Sequence, residues 1–136
     1  MIHTASFFEP QNFGDGRLVS IAMQTPYAFA QRYSDSDREL AEVEELKPDW
    51  YLVSSYRSRV INKEKYKRIY YELLYKRFTG YWDDIMSGSL GPEKILNLFS
   101  LEDGDTLLCW EKYGKFCHRI LVAEILKNNG VDVERK

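Results

Sequence analysis

The stretch from Asp105 to Val133 constrains the fold more than any other. A short continuous apolar run, Asp105-Thr106-Leu107-Leu108-Cys109-Trp110, lies between the turn Glu102-Asp103-Gly104 and a loop from Glu111 to Phe116. Its length suits a strand, and its lack of alternation suits one buried on both faces, as at the centre of a parallel sheet. Cys117 to Asn128 then has helical spacing, with Ile120, Leu121 and Ile125 turned inward, Ala123 partly so, and Asn129-Gly130 closing it. Val131-Asp132-Val133 reads as a final strand. A strand, a helix and a strand in about thirty residues make a βαβ unit, which is almost always right-handed with parallel strands. The expected fold is therefore α/β: one domain over 1–136, a mostly parallel sheet with helices on its faces, and a C-terminal βαβ unit.

Upstream segments fit that plan. Ile2 to Phe8 is a plausible first strand, broken by Glu9-Pro10-Gln11-Asn12, and Gly14-Asp15-Gly16 is a turn. Arg17 to Ala22 reads as an internal strand that Thr25-Pro26 ends. From Ser34 to Asp49 there are seven Asp or Glu against two Lys or Arg, with Leu40, Val43 and Leu46 spaced for a short helix over Asp37–Leu46. Trp50 to Tyr56 adds an apolar helical turn or two after Pro48. Asn62 is a good N-cap for the strongest helix, in which Tyr66, Ile69, Tyr70, Leu73, Leu74 and Phe78 recur at three- and four-residue spacing before Gly80. Gly91-Pro92 opens another helix, with Ile95, Leu96 and Phe99 inward.

A chain of 136 residues is long enough for a real core. A net charge of −2 argues against a surface built throughout for nucleic acid. Met1-Ile2-His3-Thr4 has neither a basic nor an apolar leader region, and no apolar run approaches the roughly 18 residues of a membrane helix. The expectation is a cytoplasmic protein with no membrane partner, in which the two cysteines point to chemistry or metal before a structural disulfide.

Ligands of parallel sheets bind beyond the carboxyl ends of the strands, where the loop from Trp110 to Phe116 belongs. Cys117, His118 and Arg119 then begin a helix, whose free N–H groups and dipole favour an anion and lower a thiol pKa. Cys117, His118 and Glu111 are the catalytic candidates: nucleophile, proton carrier and acid or base. Arg119, Cys109, Tyr113 and Ser6 are the ligand-binding candidates, Arg119 as a fork for phosphate or carboxylate. Each has a plainer reading: Cys109 as a small buried residue, Glu111 as a solvated loop residue, Arg119 as the partner of Glu111 or Glu124, and the His3–Ser6 segment as ordinary strand. Cys109, Glu111, Cys117 and His118 are too widely spaced for a usual zinc site, so neither metal nor cofactor is expected. No Walker, Gly-x-Gly-x-x-Gly, Gly-x-Ser-x-Gly or tyrosine-phosphatase loop occurs.

Leu107-Leu108-Cys109-Trp110-Glu111-Lys112, followed by Phe116-Cys117-His118-Arg119 and Leu121-Val122-Ala123-Glu124, resembles domain-of-unknown-function family 488. The signature of that family is Cys-aromatic-Glu and then Cys-His-Arg at a helix start. Val19 to Ala22 with Thr25-Pro26, Leu46-Lys47-Pro48 and the tyrosine-bearing Tyr66–Tyr75 segment follow its pattern more loosely, so the resemblance spans nearly the whole chain. Lys47 stands where the family usually has a small residue, and His3-Thr4-Ala5-Ser6 where many members have a Gly-His-Ser type of strand. The resemblance implies the motif and an α/β fold. It implies no reaction.

Three functions are open on this reading. One is a small enzyme acting on a nucleotide-like or otherwise anionic small molecule held at the N-terminus of the Cys117–Asn128 helix. The second is a nucleic-acid-associated module using the Asn62–Phe78 helix, because Arg57 to Arg77 holds eight Lys or Arg and two Glu, with Tyr70, Tyr71 and Tyr75 for stacking. The third is a thiol-based sensor in which Cys109 and Cys117 pair reversibly.

Overall fold

The computed structural model describes residues 1–34, 36–112 and 115–135. Five strands form one parallel sheet: β1 (Ile2–Ser6), β2 (Leu18–Ser20), β3 (Leu40–Glu42), β4 (Thr106–Cys109) and β5 (Val133–Arg135), in the order β3-β2-β4-β1-β5. The expected α/β class is what the chain adopts. β4 is central, with Leu107 opposite both Thr4 of β1 and Val19 of β2. The strand β5 is parallel to β4 but pairs with β1, so the C-terminal crossover passes over one strand.

Six helices are present among the described residues: α1 (Tyr27–Ser34), α2 (Trp50–Arg57), α3 (Lys63–Arg77), α4 (Trp82–Ser87), α5 (Pro92–Leu98) and α6 (His118–Asn128). Strand side chains alternate between two cores. Ile2, Val19 and Leu107 pack in the larger one with Leu52, Tyr70, Leu74, Ile85, Ile95 and Val122 of α2 to α6. Ala5, Leu18 and Leu108 pack in the smaller one with Phe7, Phe29 of α1, Cys109 and Cys117. Burial on both faces is why β4 carries no polar alternation. None of the helices is long and apolar enough to cross a membrane among the described residues.

Several local expectations change. The acidic segment is not a helix over Asp37–Leu46: Leu40–Glu42 completes the open side of β2, and Glu44–Leu46 makes a 3-10 turn. That turn brings Val43 and Leu46 into the core without stacking the acidic side chains on helix faces. Two helices, α1 and α4, stand where none was expected. The first starts after Pro26, whose carbonyl accepts from Ala30 N at 3.0 Å, and Phe29 is its buried residue. The second ends at Gly88, whose φ of 75° is the left-handed conformation glycine adopts freely. Leu96 and Ile120 are only half-buried. The final strand begins at Val133 instead of Val131, because Val131 packs into the core as a connector.

Asn62 does cap α3, its side chain accepting from Lys65 N at 2.8 Å. The tyrosines of α3 divide. Tyr70 is wholly buried and donates its hydroxyl to the Leu46 carbonyl at 2.6 Å, so it is a core residue and not a stacking platform. Tyr75 is exposed.

Candidate functional site: a cysteine pair under an aromatic cleft

All five strands are parallel, so their carboxyl ends share one edge. There β4 delivers Cys109, Trp110 and Glu111, and the chain returns at Cys117, the N-cap of α6, in extended backbone (φ −158°, ψ 153°). The Cys117 side chain makes no capping bond; its sulfur is bonded to that of Cys109, across eight residues of sequence. Cys109 is 1% exposed and Cys117 5%.

His118 is buried against the ring of Tyr70, 5.5 Å between centroids. Its Nε2 lies 2.5 Å from the Ile21 carbonyl, an acceptor only, so Nε2 carries the proton and donates it there. The other nitrogen, Nδ1, presents its lone pair 3.6 Å from Cys117 Sγ. Burial, with a smaller push from nearby Arg119 and against the opposing pull of the Ile21 carbonyl, lowers the imidazolium pKa to about 4. His118 therefore sits neutral at pH 7, an acceptor facing the Cys117 sulfur.

Arg119 is also inside, 3% exposed. Its Nη1 donates to the carbonyls of Ala5 (3.3 Å) and Glu111 and contacts Cys109 Sγ at 3.0 Å. The guanidinium thus joins the ends of β1 and β4 and sets a permanent positive charge against one sulfur. It does not line the cleft described below.

Ser6 is fully buried, donating to the Trp110 carbonyl at 3.1 Å and accepting from Phe8 N at 3.2 Å; it ties the loop after β4 to β1. Trp110 is held by its indole N–H on the Gln24 carbonyl at 2.6 Å. Glu111 is half-buried, with one carboxylate oxygen 3.9 Å from Cys109 Sγ and the other 3.8 Å from Arg57. Tyr113 lies outside the described residues.

Above Cys117 and His118 opens a cleft lined by Tyr56, Tyr66, Trp110 and Phe116, with Ala22, Met23, Gln24, Pro48 and Val53 completing its walls and Arg57 and Glu111 at one side. Its rings brace one another edge-on: Phe116 lies 5.6 Å from Tyr56 and 5.4 Å from Tyr66. Burial, with Glu111 adding to it, pushes the Tyr66 hydroxyl pKa far above 10, so that phenol stays neutral. A second depression shares Tyr56, Arg57 and Glu111 with the first and adds Arg59, Asn62 and Lys63. Arg59 reaches it from a turn with φ 62°, in which Val60 N and Ile61 N both donate to the Ser55 carbonyl. Sequence reasoning missed this rim, because α2 and the turn after it reach the sheet edge only through tertiary packing. A cluster of two arginines and a lysine around Asn62 was the available signal.

Cys109, Glu111 and Cys117 place one ligand atom each within 4.8 Å of one another, a spacing that one metal ion could span if the cysteines were reduced. The Arg119 guanidinium against Cys109 Sγ opposes a cation there. No protein-family profile, curated protein or solved structure matches the chain.

Proposed function

We propose that the protein is a small cytoplasmic enzyme acting on an anionic, ring-bearing substrate of nucleotide-like size, with Cys117 as the reacting group. One observation carries the reading: an aromatic cleft with Arg57 at its side opens onto Cys117 and His118, and the rim of the adjoining depression, which shares Arg57, carries Arg59 and Lys63. Aromatic walls suit a planar ring, and clustered cations suit a phosphate or carboxylate. The anion subsite in this proposal is the rim, not Arg119, whose Nη1 serves two backbone carbonyls and a sulfur.

The chemistry follows from the buried groups. In the reduced chain the Cys117 thiol can donate a hydrogen bond to the neutral His118 at Nδ1, which orients the sulfur. The N-terminus of α6 favours the thiolate without need of an imidazolium. Glu111, at the cleft wall and against Arg57, is the remaining candidate for proton transfer. The motif from Cys109 to Arg119 that resembles domain-of-unknown-function family 488 is the same set of residues, and membership of that family is part of the proposal.

The nucleic-acid reading is weaker. Lys67 lies over the Tyr71 ring at 5.7 Å, Arg77 donates to carbonyls of the acidic segment, and Tyr70 is unavailable.

Thermal-shift measurements on the reduced full chain test the proposal. Nucleoside mono- and diphosphates and phosphosugars are expected to raise Tm more than the matching nucleosides or inorganic phosphate alone. The double variant Arg57→Ala, Arg59→Ala should lose the increment while keeping the Tm of the free protein. No shift with any of these ligands, or a shift indifferent to both arginines, contradicts it.

A further inference from the structure

The two cysteines differ in ways that decide which sulfur reacts. Cys117 lines the cleft, at the start of α6, with His118 Nδ1 3.6 Å from its sulfur. Cys109 ends the central strand beneath the cleft, is not part of its lining, and has the Arg119 guanidinium 3.0 Å from its sulfur. That guanidinium is held in place by the carbonyls of Ala5 and Glu111. In thiol–disulfide exchange the attacking thiolate chooses the accessible sulfur, and the bond breaks faster when the departing sulfur is a stabilised thiolate. Access selects Cys117 as the sulfur attacked. The adjacent permanent charge selects Cys109 as the sulfur that leaves.

We infer that the Cys109–Cys117 bond is a redox-active disulfide of fixed polarity, exchanging with low-molecular-weight thiols through Cys117, with Cys109 as the leaving and resolving sulfur and Arg119 as the group that stabilises it. The inference goes beyond the proposed substrate chemistry and stands without it, because the only co-reactants are thiols and disulfides.

In the reductive direction an external thiolate enters the cleft and attacks Cys117 Sγ. A bond forms between the external sulfur and Cys117, the Cys109–Cys117 bond breaks, and its electron pair leaves on Cys109 Sγ beside the guanidinium. A second external thiolate attacks the external sulfur of the mixed disulfide and releases Cys117 as a thiolate. Two external thiols are thereby oxidised to one disulfide while the protein disulfide gains two electrons. In the oxidative direction the Cys117 thiolate attacks an external disulfide and expels one thiolate. Cys109 thiolate then attacks Cys117 Sγ and expels the other, restoring the protein disulfide. His118 stays neutral throughout, so Cys117 gains no opposing imidazolium charge that would make it the better leaving group.

The test uses the reduced, folded full chain and glutathione disulfide as probe, read by intact mass after acid quenching. Wild type is expected to close to the internal disulfide and retain no glutathione. Cys109→Ser should trap one glutathione on Cys117, at least about tenfold faster than Cys117→Ser traps one on Cys109, since access governs attack. Arg119→Met should accumulate the mixed disulfide, because no charge then sits at the resolving sulfur. Should that variant fail to fold, the two cysteine variants decide the matter alone. Equal trapping in the two cysteine variants, or a wild type that keeps glutathione, overturns the inference. A negative nucleotide screen alters none of these results.

Discussion

Two helices of this chain begin with polar residues, and the structure treats them oppositely. At the start of α6, Cys117, His118 and Arg119 all point inward and none is more than 5% exposed. Along α3, Lys65, Arg68 and Lys76 face solvent, and the inward stripe is Tyr66, Tyr70 and Leu74. Burying a cation, an imidazole and a thiol costs free energy unless each finds a partner, and here each does: backbone carbonyls, Ile21 and the second cysteine. Surface charge needs no such arrangement. The contrast teaches that a count of charged residues says nothing of depth: the basic residues of α3 lie at the surface, whereas the polar start of α6 lies beneath the sheet edge.

The comparison breaks first at Arg119. Arg119→Ala leaves the Ala5 and Glu111 carbonyls without that donor and should lower unfolding free energy by about 3 kcal/mol, whereas Arg68→Ala on α3 should stay within about 0.5 kcal/mol. Urea denaturation of the two variants checks this, and equal losses would remove the distinction between the helices.

His118 gives a pH-dependent form of the same contrast. Its folded pKa of about 4 lies below the ordinary 6.5, so the unfolded chain binds the proton first. Stability should therefore fall as pH drops from 6.5 toward 4, by about 3 kcal/mol in all for that shift. Glu42, held below the usual carboxylate range first by its bond from Thr25 and then by Lys47, adds a loss of the same sign only at lower pH. Tm measured from pH 7 to pH 5 should slope less steeply in His118→Gln. An unchanged slope means that His118 is not the residue responsible.

The hydroxyl of Tyr70 is a place where α3 shares the character of α6. Tyr70→Phe leaves the buried Leu46 carbonyl without that donor and should lower stability by about 1–2 kcal/mol, read by chemical denaturation. Smallest is the cap of α3: Asn62→Ala should lower stability by about 1 kcal/mol, and no change would mean that Lys65 N finds another acceptor.

Much of this was legible in the sequence, and the reasons are particular. Leu107 and Leu108 are apolar on consecutive positions because β4 has a core on each side, and that pattern alone placed the strand, the loop and the helix start. α1 escaped notice because it buries only Phe29 in a short segment, too little for a periodic signal. The acidic segment misled because Leu40, Val43 and Leu46 are spaced for a helix, while the unfilled side of β2 decides that Leu40–Glu42 pairs as a strand. At the site, Cys117 and His118 fell beside the cleft as their place at the helix start suggested. Arg119 and Ser6 do not line it, because Arg119 turns to the carbonyls of Ala5 and Glu111 and Ser6 to the Trp110 carbonyl, and spacing carries no information on where a side chain points. The rim of Arg57, Arg59 and Lys63 depends on where α2 packs, which no local pattern encodes.

The central claim is that the cleft leads to Cys117 and leaves Cys109 beneath it. Timed alkylation of the reduced, folded protein with iodoacetamide at pH 7, followed by peptide mass spectrometry, tests it directly. The account predicts that Cys117 is modified in the folded state and that Cys109 is modified at a comparable rate only when denaturant unfolds the chain. If both cysteines wait for unfolding, or Cys109 is modified first, the cleft does not serve the cysteine pair and the account fails.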